Sequence, residues 1–163
     1  MPLQPAITDV AQLKDSPAVS ALQSAGLVEG AKFDRDELTI YVDRAAIRQA
    51  CEILRDRPET RFNFLSDITC VDVFPSEPRF EVIYHLLSHS QKDRVRLIAR
   101  VPGGDPSIES LMGLWPGVNF FEREVFDLFG VRFLGHPNLR RIQMPEEWEG
   151  HPLRKDYPVE GYR

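Results

Sequence analysis

Two cysteines, Cys51 and Cys70, are the whole thiol content of this 163-residue chain. They do not form a Cys-x-x-Cys pair, and an iron–sulfur cluster ordinarily takes four thiolates, so the chain cannot hold one by itself. In a reducing compartment both read as small apolar side chains rather than as a disulfide. Excess positive charge is missing too. Twenty Lys and Arg stand against 25 Asp and Glu, for a net charge of −5, which excludes the basic footprint of a nucleic-acid-binding domain. No apolar run approaches the roughly eighteen residues of a membrane-spanning helix, and the start, MPLQPAITDVAQLKD, has neither a basic opening nor an apolar signal core. The chain is therefore expected to be cytoplasmic and to meet a membrane only through partners. Gly103-Gly104-Asp105 reads as a turn, since a phosphate loop needs more glycines and a Lys-Ser/Thr ending, and no serine elbow supports a hydrolase triad.

What is present is hydrophobic periodicity. At 42% hydrophobic content the chain is long enough for one domain with residues to spare. Ser16-Pro17 reads as an N-cap and first helical position, with Val19, Leu22 and Ala25 on one face before Gly26. Strands are expected over 27–33 and 38–42, joined by a polar turn at 34–37. Asp43 caps a second helix through Arg57, with Ile47, Ala50, Cys51 and Leu54 inward and Arg48 paired to Glu52 outside. Residues 62–74 suit a long strand bent at Ser66-Asp67. Phe80, Val82, Tyr84 and Leu86, then Val95, Leu97, Ala99 and Val101, alternate with more polar residues as two further strands. A short helix is expected from Asp105-Pro106 to about Leu114, and another from near Asn119 to Gly130. The order helix-strand-strand-helix-strand-strand-strand predicts an α+β fold, a two-layer mixed sheet with helices on one face.

Apolar periodicity stops at about Phe133, which divides the chain into a core domain, 1–133, and an extended C-terminal tail, 134–163. Pro137, Pro145, Pro152 and Pro158 keep the tail irregular. Ordered irregular chain must satisfy its polar groups somewhere, and a partner is the expected place. Arg140, Arg141, Arg154 and Lys155 alternate with Trp148 and Tyr157 in an interface-like composition. Arg154→Glu is accordingly expected to weaken assembly while sparing the free chain. In the preceding helix Glu122 and Glu124 point apart by roughly 160°, too far for a shared acid–base site. Glu122 falls inside the apolar arc and Arg123 and Asp127 outside it. A buried Glu122 needs a partner, and Arg140, Arg141 and Arg154 are the candidates. His85 and His89 are four apart in a strand-like stretch, and His136 and His151 each precede proline in a turn. None of these spacings favours a metal.

The tail also carries a resemblance. Glu122-Arg123-Glu124, Asp127-Leu128-Phe129-Gly130, Gly135-His136-Pro137, Leu139-Arg140-Arg141-Ile142, Met144-Pro145, Trp148 and Gly150-His151-Pro152-Leu153-Arg154-Lys155-Asp156-Tyr157-Pro158 resemble the signature of the 30-kilodalton subunit family, the C subunits of bacterial NADH:quinone oxidoreductase (respiratory complex I). Agreement is specific over roughly the last quarter of the chain and weaker at 65–69 and around Trp115. The resemblance implies a structural, non-catalytic subunit of the peripheral arm on the cytoplasmic side of the cell (inner) membrane. It implies no cofactor in this chain, with FMN and the iron–sulfur clusters in partner subunits of an enzyme that passes electrons from NADH to a quinone such as ubiquinone. The implied partners are the hydrogenase-large-subunit-like subunit of the quinone site and adjacent iron–sulfur subunits. The signature places the interface on Glu122, Arg123, Glu124, Asp127, His136, Arg140, Arg141, Trp148, His151, Arg154, Lys155, Asp156 and Tyr157. Two alternatives are the equivalent subunit of a membrane-bound energy-converting hydrogenase, whose signature is similar, and a stand-alone metal-dependent enzyme using His and Glu.

Overall fold

The computed structural model describes residues 5–162. Helix α1, Pro17–Ser24, leads into the hairpin β1, Gly30–Asp34, and β2, Glu37–Val42. After α2, Ile47–Asp56, come β3, Phe64–Asp72, β4, Phe80–Ser88, and β5, Asp93–Val101. The chain then forms β6, Ser107–Glu109, α3, Asn119–Phe129, and β7, Arg132–Leu134. Five strands make one sheet in the order β1-β2-β5-β4-β3, in which only β2 and β5 run parallel. This is the mixed α+β sheet that the alternation predicts.

The register shows why. Ala31, Ile40, Leu97, Tyr84 and Ile68 pair across all five strands and are all buried, a continuous apolar row. Ile47, Ala50, Cys51 and Leu54 of α2 and Ala18, Val19 and Leu22 of α1 join the same core, and each fully buried large aliphatic side chain contributes about 1.5–3 kcal/mol. The reverse face carries Thr39, Arg96, His85 and Asp67 in the neighbouring row. Asp43 accepts from the Ala45 N–H at 2.7 Å, so it does start the second helical stretch. Ser16 makes no side-chain cap. The bend at Ser66-Asp67 is a register shift between Leu65 and Asp67, where an inserted residue re-aims the strand.

One expected element is wrong. Residues 105–114 hold no helix. Ser107–Glu109 pairs in parallel with Arg132–Leu134, and Pro106, instead of opening a helix, accepts the Arg132 N–H through its carbonyl at 2.7 Å. Asp105 bonds Ser107 and the guanidinium groups of Arg44 and Arg132. Its carboxylate is thus taken up by distant cations and cannot cap a following turn.

Both edges of the large sheet are managed. Ile7 exchanges two backbone hydrogen bonds with Phe33 of β1, 2.9 and 2.8 Å, and α3 lies against β3. Covering an edge strand blocks unwanted strand addition. The helix stops at Gly130, whose φ is +76°, a left-handed conformation that costs a residue with a Cβ about 1–2 kcal/mol. A Cβ there would also lie 2.6 Å from the His151 ring and press on the Arg154 guanidinium.

Gly130→Ala is therefore expected to combine backbone strain with overpacking and to lower stability by about 2–5 kcal/mol. Chemical denaturation of the full-length chain measures this, and a loss below about 0.5 kcal/mol would mean that the turn and tail relax freely.

Candidate functional site: helix α3 and the C-terminal segment

Helix α3 holds two carboxylates in opposite situations. Glu122 is fully buried. Its Oε2 accepts from the Ser110 hydroxyl at 2.6 Å and its Oε1 from the Leu111 N–H at 2.7 Å. No arginine among the described residues reaches it, contrary to the pairing with Arg140, Arg141 or Arg154 expected from sequence. Two hydrogen bonds satisfy the oxygens without neutralising the charge, and burial, outweighing those bonds, pushes the carboxyl up to about 7. Glu122 thus ties the 110–111 turn to the helix, and its proton is the counterpart of the missing cation.

Asp127 is buried as well, although the helical wheel places it outside the apolar arc. What covers it is the tail. Oδ2 accepts from the N–H groups of Ile142, Gln143 and Met144 at 2.9, 2.7 and 2.9 Å, and Oδ1 accepts from Arg141 at 2.6 Å. Burial alone would raise this carboxyl, but the Met144 N–H, the Arg141 guanidinium and the other two amides together hold it below the usual carboxylate range.

The rest of the grip follows from the last turn of α3, whose final carbonyls have no intrahelical donors. Phe126 receives the Gly130 N–H, Asp127 receives Arg141 and His151, Leu128 receives the Leu153 N–H, and Phe129 receives Arg154 at 2.6 Å. Because a carbonyl only accepts, Nδ1 of His151 is the donor. Burial, above all, lowers the pKa of this imidazole. Arg141 and Arg154 also place positive charge at the helix C-terminus, where it is favourable. Arg123 donates to the carbonyls of Arg140 and Arg141.

Farther along, Asp72 at the end of β3 accepts two bonds from Arg79 and one from the Lys155 N–H. The other side of the Arg79 fork holds Asp156. Arg154 stacks 5.2 Å above the Phe80 ring. Tyr157 donates to the Glu149 carbonyl, and His136 accepts the Asn138 N–H on Nδ1.

These contacts divide the residues singled out from sequence. Arg123, Asp127, Arg141, His151, Arg154 and Asp156 hold the tail against its own domain. Arg154→Glu would put an anion over the α3 carboxyl end, so it strikes the fold as well as any interface. The side chains of Glu124, Arg140, Trp148 and Lys155 make no hydrogen bond or ion pair with the described residues, and Arg140, Trp148 and Lys155 are exposed. Sequence reasoning missed Asp72, Arg79 and Ser110. A signal existed for Asp72, which shares the parity of Ile68 and Cys70 and so falls on the buried face. Among the described residues no three His, Cys, Asp or Glu side chains gather as a metal site, and no helix is long and apolar enough to cross a membrane.

Fold and site together define a class, a two-layer α+β domain that uses its signature charges to pin an irregular segment along its own surface. Its relatives make the class specific. Residues 40–163 match the family model described as respiratory-chain NADH dehydrogenase, 30 Kd subunit, and the chain belongs to that family. It is 54% identical over 125 residues to the NADH-quinone oxidoreductase C subunit of Roseiflexus sp. (strain RS-1), covering 77% of this chain and 72% of that protein. With the corresponding protein of Roseiflexus castenholzii it shares 48% over 148 residues, covering 89% and 85%. Among solved structures it resembles the trypsin-resistant fragment (1–134) of Nqo5, with a TM-score of 0.60 and 28% identity over 80% of this chain and 99% of the fragment. It also resembles a chain of an archaeal membrane-bound sulfane sulfur reductase, with a TM-score of 0.75 and 27% identity over 90% of this chain and 86% of that one. The chain is thus a subunit of an NADH-quinone oxidoreductase of the complex I type, an assembly associated with a membrane.

Two outcomes follow for the helix carboxylates. Because folding raises the Glu122 pKa from 4.5 to about 7, its contribution is fully present below about 4.5 and is lost as pH rises to about 7, on the order of 3 kcal/mol. Glu122→Gln should flatten the stability-versus-pH curve in that window, followed by urea titrations at pH 5 and pH 8. Equal slopes in both proteins would refute the buried-acid assignment. Asp127→Ala removes the counter-ion of Arg141, leaves three amides unmatched and should cost about 3–5 kcal/mol, with trypsin cutting after Arg140 and Arg141 many times faster than in the parent.

Proposed function

We propose that the chain is a non-catalytic, cofactor-free scaffold of the peripheral arm, lying on the cytoplasmic side of the membrane and reaching it only through its complex. Electrons would pass from NADH through FMN and iron–sulfur clusters in neighbouring subunits to the quinone. The role of this chain is to hold those neighbours, above all the hydrogenase-large-subunit-like subunit of the quinone site and the iron–sulfur subunits beside it. The observation that carries this reading is the internal satisfaction of the tail. Asp127, Asp72 and the α3 carbonyls take the backbone N–H groups of Ile142, Gln143, Met144, Leu153 and Lys155 and the guanidinium groups of Arg141 and Arg154. What is left outward is a fixed display of Arg140, Trp148 and Lys155 on a rigid support. Such pre-organisation reduces the entropy lost on association.

The division into a core, 1–133, and a docking segment, 134–163, is part of the same proposal. A trypsin-resistant fragment of 134 residues in the Nqo5 relative supports a separable core in that protein, whereas here the carbonyls of Asp127, Leu128 and Phe129 bind the tail and tie the two parts together.

The test uses Arg140→Glu with Lys155→Glu, two exposed side chains outside an internal network that uses only their backbone groups. Co-purification of the subunit with the complex and NADH:quinone turnover should fall together, by about tenfold or more, since removing one partner of a desolvated charge pair costs about 2–5 kcal/mol of binding. The thermal midpoint of the free chain should move by less than about 3 °C, because exposed substitutions stay near ±0.5 kcal/mol. Normal assembly with selective loss of turnover would contradict the scaffold role and place the tail in the chemistry.

A further inference from the structure

Carboxylates drawn away from water in this chain are matched, with two exceptions. Among the described residues the half-buried Asp34, Glu52 and Glu81 pair with Lys32, Arg48 and Arg100, and Asp93 accepts the Arg94 N–H. The buried Asp72, Glu122 and Asp127 have the donors given above. Asp67 and Glu124 are half-buried too, yet neither makes a hydrogen bond or ion pair with the described residues. Both line the same groove.

That groove, of about 380 Å³, lies between β3 and the C-terminal half of α3. Asp67 comes from β3, Glu124, Leu128 and Phe129 come from α3, and the tail adds Leu153. Glu124 and Leu128 are one turn apart and so share a side of the helix. The Leu128 carbonyl accepts the Leu153 N–H at 3.0 Å, which fixes Leu153 beside the helix with 50% of its surface exposed. No cation of the described chain lines the groove. Arg123, next to Glu124, is taken by the carbonyls of Arg140 and Arg141, and Arg154, next to Leu153, by that of Phe129. Asp67 also borders a hollow on the open sheet face, where Arg96 pairs with Glu37 and neither it nor Arg94 forms an ion pair with Asp67. Across the β3–β4 ladder Asp67 faces His85, whose imidazole burial, above all, holds below its ordinary pKa and so uncharged at neutral pH.

An unpaired charge withdrawn from water costs free energy, so two such carboxylates on one groove mark a contact completed from outside the chain. A metal ion is a poor occupant, because no three His, Cys, Asp or Glu side chains of the described residues gather to hold one. A long cationic side chain fits both parts of the lining. Its aliphatic stem covers Leu128, Phe129 and Leu153 while its head meets the carboxylates.

We propose that the groove between β3 and α3 receives an arginine or lysine side chain of a neighbouring subunit, its charge met by Asp67 and Glu124. The proposal rests on the subunit reading above and names the chemistry of one contact. Leu153 stands two residues before the exposed Lys155, so the groove is continuous with the docking segment.

The experiment uses the assembled complex purified from cells carrying the wild-type chain, Asp67→Asn, Glu124→Gln, or both exchanges together. The readouts are the salt concentration at which the subunit dissociates, the thermal midpoint of each free chain, and photo-cross-linking from benzoylphenylalanine at position 153 of an otherwise wild-type chain. The double exchange should weaken retention about tenfold or more and flatten its salt dependence, with each single exchange doing so less. In the free chain it removes two unpaired charges and breaks no hydrogen bond or ion pair among the described residues, so the midpoint should hold or rise. The cross-link, which does not depend on how either variant folds, should map to a partner segment containing Arg or Lys. Unchanged retention in the double exchange, a fall in midpoint that accounts for the lost retention, or a cross-link to a segment with neither residue overturns the groove proposal while wild-type co-purification keeps the subunit reading. Failure of the wild-type chain to co-purify overturns both.

Discussion

The carboxylate of Asp127 is where the domain and the tail become one object. It accepts three consecutive backbone N–H groups and one guanidinium, an arrangement that fixes the path of residues 141–144 without any regular secondary structure. From that point Arg141 is directed to the carbonyls of Trp148 and Gly150, and the chain is returned to the end of α3. Burial makes each bond stronger and each omission dearer. The network is therefore all or nothing, and the aromatic and cationic side chains displayed beyond it inherit their positions from it.

Glu122, five residues earlier on the same helix, shows what determines a carboxylate's behaviour. Both groups are fully buried. One meets a cation and three amides and stays ionised; the other meets a hydroxyl and one amide and holds its proton toward neutrality. Burial is common to the two, so the difference lies in the partners. Asp72 repeats the ionised solution with Arg79 at the far end of the tail. Its carboxyl is opposed by burial but held below the usual range by Arg79, Lys155 and Phe74.

The sheet was legible because strand alternation and helical spacing are local. Phe80, Val82, Tyr84 and Leu86 announce their face within seven residues. The errors arise where a residue's partner lies far along the chain. Asp105-Pro106 has the look of a helix start, yet Pro106 meets Arg132, a ladder that no window around Pro106 contains. The wheel placed Glu122 inward correctly and Asp127 outward wrongly, because a wheel sees only the domain core and Asp127 is covered by the tail. The tail arginines read as an interface from composition, and composition cannot tell an interface within one chain from one between two chains. Arg141 and Arg154 belong to the first kind. The side chains of the exposed Arg140 and Lys155 make no such contact with the described residues.

The capping of α3 by residues 151–154 also sets an order in time. During synthesis the sheet and the helix emerge from the ribosome before the segment that covers the helix end, so a nascent chain exposes bare carbonyls and an unmatched Asp127 until residues 141–154 follow. A chain cut short before residue 141 would thus lack its helix cap, and the bare end of α3 would be open to proteases.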